Sequence, residues 1–473
     1  SWYTTPWGQN IVSKAITEET GVSIKFVVPT GSEAQKLDAM IASDTLPDLI
    51  TVGWWETQAQ TMVDQDMVYA LNQLADEYDP YFYQVADGQV VSWYTKEDGN
   101  LYGYPNSTYT PDDFKNGQNT GSNQNFLVRK DIYEALGEPD MTTIEGFENA
   151  VIQAAQMFPE VDGLPLIPVG SDEFYDEGCN SFDKYLLNFL AVPFEVDGRY
   201  NDRLRNQDYI KWLKMFRELN SMGYLSKEIF IDKRAQLEEN MAKGRYFCLL
   251  YQGSDIQASQ KALNAKDPDM IYIAVEGPRN SQGDNPVLPS TGINGWTLTF
   301  ISKNCKDPER AIAFLSYLMS EEGQKKTYLG VEGVTYDVVD GTYKLRPEVQ
   351  ELLNTDRSRY DQVYGAADAY WMLQDNVMQD QWLLETDPLI SALKQWTAPY
   401  TQYTGQYDVV FEADSEYAQM DMKIKEEWGK TLPQLLLASS EEEFDSIYQA
   451  YDQKKYDMGY DELLDEYTRI MQE

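Results

Sequence analysis

The run Gly292-Ile-Asn-Gly-Trp-Thr-Leu-Thr-Phe-Ile301, continued through Asp307-Pro308 and Ser320-Glu-Glu322 to Gly330-Val-Glu-Gly333, decides how this chain is read. Its pattern is strand, helix, helix, glycine loop. Trp296, Leu298 and Phe300 alternate with Thr297, Thr299 and Ile301, a mostly alternating apolar pattern in β-formers that predicts a strand. Asp307-Pro308 supplies an N-cap and a first-turn proline. Ala311, Ile312, Phe314, Leu315, Leu318 and Met319 follow at helical spacing, so this helix buries one face. Gly292-Ile-Asn-Gly295 leaves room for close approach of a ligand to the backbone. Trp296 is therefore either the first inward residue of its strand or an exposed platform.

Composition narrows the function. At 473 residues, 42% of them hydrophobic, the chain can bury two cores, and two domains are expected. No apolar run approaches the ~20 residues that span a bilayer. The start at Ser1 suggests a mature or trimmed chain, with any export signal or lipid anchor lying upstream. Acidic residues number 78 against 38 basic, a formal charge of −40, which opposes binding to nucleic acid or to anionic membrane surfaces. A solvated acidic surface explains the charge itself. Histidine is absent, which removes His-based triads, His-ligated zinc and the usual general base near neutral pH. Cys179, Cys248 and Cys305 form no CxxC and, being odd in number, no disulfide framework. Cys248, within Tyr246-Phe-Cys-Leu-Leu-Tyr251, reads as a core thiol.

From the N-terminus, Ser1–Thr5 reads as the end of a strand. A helical face at Ile11–Ile16 stops at Gly21, and Val22, Ile24 and Phe26 alternate as a strand. A helix over Ser32–Ala42 leads to the strand Leu49–Val52 and then Gly53-Trp54-Trp55. This order predicts a parallel sheet with right-handed crossovers, whose ligands sit beyond the carboxyl ends of the strands. Trp7 and Trp54 fall at such ends; Trp55 points the other way and packs. Residues 87–126 are loop-rich, with Tyr104 and Asn106 as candidate contacts. A second block opens at Phe126–Asp131, where Arg129 reads as a structural ion-pair partner. It continues through the strand Leu164–Val169 into the acidic, aromatic loop Ser171–Glu177. Tyr209–Met222 is amphipathic, with Trp212 in its core face. The buried strand 246–251 ends in Tyr251-Gln252, followed by Asp255, which either binds ligand or caps the next helix. Beyond Leu345 the chain turns helical and more acidic, and Ser440-Glu-Glu-Glu443 reads as a capping box.

Seven stretches carry a resemblance: Glu19-Thr-Gly-Val22, Ala42-Ser-Asp-Thr-Leu-Pro-Asp48, Leu101-Tyr-Gly-Tyr-Pro105, Val128-Arg-Lys-Asp131 with Leu136-Gly137, Asn220-Ser-Met-Gly-Tyr-Leu225, Cys305-Lys-Asp-Pro-Glu309 with Ser320-Glu-Glu-Gly-Gln324, and Ser440–Phe444. In this order, over the whole chain, they resemble the extracellular solute-binding proteins of carbohydrate ABC importers, in particular the long lipoprotein subfamily of Gram-positive bacteria. The resemblance implies an α/β, two-lobed periplasmic-binding-protein type II (maltose-binding-protein-like) fold with an extended helical C-terminal region. Lobes are expected at 1–112 with 271–326 and at 126–260 with 336–473, joined by hinge crossings at 113–125, 261–270 and 327–335. An oligosaccharide would be captured in the inter-lobe cleft, with closure coupled to binding, and delivered to a membrane permease.

The resemblance also places Glu173 and Tyr175 at sugar contacts, because the maltose binder carries acidic and aromatic residues on the corresponding loop. Trp371 lies in a region where a tryptophan stacks on ligand in some relatives; its helical surroundings also suit a core role. Sugars present C–H faces and hydroxyls, so aromatic platforms and planar hydrogen-bonding groups suit them. The expected contacts are Trp7, Trp54, Tyr104, Asn106, Glu173, Tyr175, Tyr251, Gln252, Asp255, Trp296 and Trp371. Many relatives have a calcium loop ahead of the strand at Leu164; Phe158-Pro-Glu-Val-Asp-Gly163 is short and holds two carboxylates, so no metal site is expected. No cofactor, no catalysis and no nucleic-acid partner are expected of an extracellular, lipid-anchored monomer. The alternatives are a carboxylate-based glycosidase or lyase and a binder of a non-sugar solute on the same fold.

Overall fold

The computed structural model describes residues 5–29, 31–118, 121–382, 388–411 and 415–472, so the strand end read at Ser1–Thr5 lies, apart from Thr5, outside the described residues. The chain divides into two compact units, Ser1–Gln118 with Thr291–Thr386, and Asn119–Ser290 with Asp387–Glu473. Seven strands build their two main sheets: β1 Leu49–Gly53, β2 Gly103–Pro105, β3 Gln124–Arg129, β4 Ile167–Gly170, β5 Tyr246–Gln252, β6 Tyr272–Ala274 and β7 Thr297–Ile301.

In the first unit β7 lies between β1 and β2 and is antiparallel to both, with Gly53 opposite Thr297 and Pro105 opposite Leu298. The parallel sheet expected here is thereby corrected. β1 and β2 do run the same way, but the strand that returns from the second unit inserts between them, and an antiparallel neighbour needs no helical crossover. Val22, Ile24 and Phe26 turn toward the core as their alternation requires, yet this extended segment joins no ladder among the described residues. It lines, with β1, Leu37, Met40 and Phe314, a pocket of about 570 Å³.

The helix Pro308–Met319 begins where the sequence places it: the Asp307 side chain accepts from the Arg310 N–H, and Pro308 occupies the first turn. Its buried Ile312, Phe314, Leu315 and Met319 pack with Val12, Ile16, Leu74, Phe82, Val349 and Tyr360. A separate cluster of Ile50, Val52, Met62, Leu298 and Phe300 fills the space under the sheet.

The second unit has strand order β6-β3-β5-β4, with β4 and β5 parallel and the other pairs antiparallel. Trp212, Tyr209, Phe147, Phe216 and Leu435 are in its core, and Cys179 and Cys248 are buried free thiols there. Arg129 pairs with Asp131 and donates to the Gly244 carbonyl, the structural role its position suggested. Ser440 caps the helix Glu441–Asp457 by accepting from the Glu443 N–H, while the Glu443 carboxylate reaches Ser439 rather than closing the box on Ser440.

The sequence-drawn boundaries differ from these units in two places. Residues 271–290 belong with the second unit, because β6 pairs with β3, Tyr272 opposite Arg129. Residues 336–386 belong with the first: the hairpin Tyr336–Val339/Thr342–Leu345 packs Tyr336 against Leu329 and Trp382, and Val349 and Tyr360 enter the first unit's core. The chain passes between units near residues 118, 290 and 386. The expected crossing at 261–270 is instead the end of the helix Gln257–Lys266 and the turn after it, and that at 327–335 is the end of the helix Glu321–Tyr328 and the turn after it, within the first unit. Among the described residues no helix is long and apolar enough to cross a membrane.

Candidate functional site

Register brings the end of β1, the end of β2 and the start of β7 to one edge of the first unit's sheet. One side chain ties that edge together. Asn106, only 1% exposed, follows β2, and its Oδ1 accepts from the Thr297 N–H at 2.8 Å and the Thr297 hydroxyl at 3.0 Å. Its Nδ2 donates to the Trp371 carbonyl at 3.0 Å, and its own carbonyl accepts from the Trp296 N–H at 3.1 Å. Gly295 makes this approach possible. It sits at φ +66°, and a Cβ there would lie 2.1 Å from the Asn106 oxygen. Gly295→Ala is therefore expected to destabilise the first unit by roughly 2 kcal/mol or more, combining left-handed strain with a backbone clash. Urea unfolding of the variant beside the parent checks this.

The result is an indole pair. Trp296 and Trp371 lie with ring centroids 4.4 Å apart and planes 33° from parallel, and Trp296 remains 36% exposed. The Trp54 N–H donates to the Trp296 carbonyl, and Trp54 meets Trp55 edge-on at 5.7 Å. Trp55 does not pack inward as the sequence suggested. It lies over Gly53, where any Cβ would touch its ring at 2.7 Å, and stays exposed. Trp93, also exposed, donates its indole N–H to the Asn294 side chain at 2.7 Å, and the Tyr94 hydroxyl donates to the Asn294 carbonyl. Thus Trp55, Trp93 and Trp296 present indole surface at one end of the unit. Trp93 had no signal beyond its place in a loop-rich stretch; Trp55 had one, the glycine before Trp54.

Of the other expected contacts in this unit, Tyr104 and Asn106 are buried and Trp7 is half-buried. Trp7 donates its indole N–H to Thr17 and packs against Tyr370 and Phe314. Tyr104 is buried against Phe82, its hydroxyl accepting from the Asp87 N–H, and burial pushes its phenol well above the usual range. Asn106 has its amide engaged by protein groups, as above.

In the second unit, parallel β4 and β5 end together, and antiparallel β3 starts at the same edge, Gln124 opposite Gln252. Here Glu173 accepts from the Lys233 ammonium at 2.7 Å and the Arg234 N–H at 3.0 Å. The Tyr175 hydroxyl bonds Asn180, whose amide donates to Asp172. Gln252 donates to the Tyr185 hydroxyl at 2.7 Å and accepts from Asn123. Asp255 pairs with Arg234 at 3.0 Å and accepts from Ser254; the helix after it has no side-chain cap, so the capping role is not the one it plays. Tyr251 is 1% exposed and part of the core. The loop is held from beneath by Asp183, which accepts from the Cys179 N–H and the Trp428 indole and whose carboxyl burial pushes up to about 6.

Each α/β unit thus gathers aromatic or amide groups at one edge of its sheet. Residues 12–350 match the family of bacterial extracellular solute-binding proteins, and the chain belongs to that family. Among curated relatives, the polygalacturonan/rhamnogalacturonan-binding protein YtcQ of Bacillus subtilis (strain 168) is 20% identical over 330 residues, covering 68% of this chain and 62% of that protein. Lipoprotein LipO of the same organism is 25% identical over 351 residues, covering 70% and 64%. The matches thus span a little under two thirds of these relatives' length.

Solved structures give the fold. The alginate-binding protein AlgQ2 without calcium ion superposes with TM-score 0.72 at 18% identity, covering 99% of this chain and 96% of that one. The Streptococcus pneumoniae substrate-binding protein FusA in complex with kestose gives 0.73 at 14%, covering 100% and 96%. A solute-binding protein of Bifidobacterium longum infantis described as binding HMO gives 0.70 at 14%, covering 99% and 96%. The chain has the periplasmic-binding-protein fold expected from its sequence.

Proposed function

We propose that this protein is the extracellular binding component of an ABC importer, that it captures a neutral oligosaccharide by stacking on the Trp296–Trp371 platform, and that it hands the sugar to a membrane permease. The observation that carries this reading is the indole pair, held by a buried asparagine and left open on the Trp296 side. Rigid indole faces match the C–H faces of pyranose or furanose rings at low entropic cost. By itself, the second unit's sheet edge carries Gln252, Asn123 and Asp172, planar groups of the kind that suit hydroxyls.

The charges support a neutral ligand. Lys233 and Arg234, the cations at the second unit's edge, are engaged by Glu173, Glu238 and Asp255. A polyuronide would have to displace those carboxylates from a chain of net charge −40. The reading therefore departs from the polyuronide named for YtcQ. Capture without chemistry and a lipid-anchored location outside the cell, supported by family membership and by the name of LipO, are parts of the same proposal, as is a monomeric state.

A thermal-shift panel of neutral fructo-, gluco- and galacto-oligosaccharides beside oligogalacturonides tests it. A ligand at a hundred times its Kd stabilises by about 2.7 kcal/mol. A shift with neutral sugars, with the sugar recovered intact, is expected. Shifts with oligogalacturonides alone overturn the neutral assignment, time-dependent shorter products favour an enzyme, and a flat panel removes the sugar reading.

A further inference from the structure

We infer that Asp368 is a positioning residue for the indole platform, acting on Trp371 through Gln374, and that it makes the platform respond to protons. The segment that carries Trp371 is anchored by three amide side chains. Gln324 donates to the Leu318 and Leu373 carbonyls and accepts from the Asp375 N–H. Gln379 donates to both Gln324 at 3.0 Å and Asp368 at 3.0 Å. Gln374 donates its side-chain amide to the other Asp368 oxygen at 3.1 Å. Its backbone closes the turn on the platform: its N–H donates to the Trp371 carbonyl at 3.1 Å, and its carbonyl accepts from the Ser107 N–H.

Asp368 itself sits in a left-handed conformation at φ 58°, its N–H bonded to the Thr327 carbonyl. The charged and titratable groups around it are Arg357, which pairs with Asp361, the Tyr360 phenol, and Asp375 further along the same segment. No ion pair to Asp368 occurs among the described residues, and desolvation raises its carboxyl from the ordinary 3.8 to about 7.

A carboxylate accepts from both glutamine amides. A proton on it turns one oxygen into a donor while the carboxyl keeps acceptor capacity, and an amide that presents its oxygen to that donor gains a hydrogen bond. Gln379 cannot turn without losing Gln324, so the change falls on Gln374 and through it on the Trp371 turn. The folded carboxyl holds its proton more tightly than the unfolded one. The stability it contributes is therefore greatest at low pH, declines as pH rises from about 4 to about 7, and is level above that.

Tryptophan fluorescence between pH 5 and 9, without ligand, reads the platform directly and rests on the sugar reading only for its meaning. The parent is expected to show a transition with a midpoint near pH 7 that W371F removes. Asp368→Asn should abolish it, and its melting temperature should exceed the parent's by a margin that grows from near zero at pH 4 to a plateau above pH 7. Gln374→Met, which keeps the acid and cuts its link to the turn, should lose the fluorescence transition while retaining the parent's pH-dependent melting; it carries the test if Asp368→Asn does not fold. A parent without a transition, or a transition that survives in Asp368→Asn or Gln374→Met, overturns the inference. If the transition behaves as expected and no sugar binds, the fault lies with the ligand assignment instead.

Discussion

Trp296→Ala lowers affinity for the captured oligosaccharide at least tenfold, about 1.4 kcal/mol or more, at a modest cost to the melting temperature of the free protein. The two halves of this expectation have one cause. Trp296 is 36% exposed, so its removal costs part of its packing, the contact with Trp371 included, and takes away the accessible face of that pair. Truncation of a central stacking aromatic is where binding losses concentrate. Trp296→Phe should fall between, since a smaller ring keeps part of the contact. Calorimetric titration of the three proteins with one sugar from the panel provides the comparison. Equal affinity for parent and alanine variant would remove Trp296 from the site.

Asn106→Ala is the second large effect, and it divides differently between stability and binding. The substitution orphans the Thr297 N–H, which is fully buried and has Asn106 as its side-chain acceptor. An unsatisfied buried donor costs about 1–3 kcal/mol. The Trp371 carbonyl keeps the Gln374 N–H, so its loss is smaller. A total of about 2–3 kcal/mol off the first unit is expected from urea unfolding. Binding should weaken less than in Trp296→Ala, because the Trp371 carbonyl loses the Asn106 amide while the Trp296 N–H keeps the backbone carbonyl at position 106. A variant with parental affinity and lowered stability would leave Asn106 a purely structural residue.

The first unit's strand–helix–helix core was legible because its signals are local. Alternation in Thr297–Ile301, the Asp307-Pro308 start and helical spacing from Ala311 to Met319 each act within a few residues, and each element forms where it was read. Sheet direction and unit membership were not legible in the same way. They depend on which strand a returning segment pairs with: β6 with β3, β7 between β1 and β2. Nothing in the composition of Tyr272–Ala274 or of Tyr336–Leu345 announces its partner.

The candidate site shows the same division. Trp54 and Trp296 could be proposed because each follows a glycine at a strand terminus. Trp371 was given to the other lobe, since its tie to the first unit is a carbonyl accepting from Asn106, 265 residues away. Asn106 was read as a ligand contact because an asparagine among tyrosines in a loop looks exposed. Only the fold shows its amide turned inward. Tyr104, read in a loop-rich stretch, and Tyr251, read at a strand end, are both buried, because neither local reading separates a residue at the edge from one a step inside it.

The central claim is that the Trp296–Trp371 pair is the surface that meets the sugar. The most direct measurement is an NMR titration of protein labelled with 15N at tryptophan, with the two indole N–H signals assigned through Trp296→Phe and Trp371→Phe. On addition of the stabilising oligosaccharide, those two signals are predicted to shift together and saturably, while those of the core residues Trp212 and Trp428 stay in place. Saturable binding that leaves the Trp296 and Trp371 signals unmoved would contradict the account.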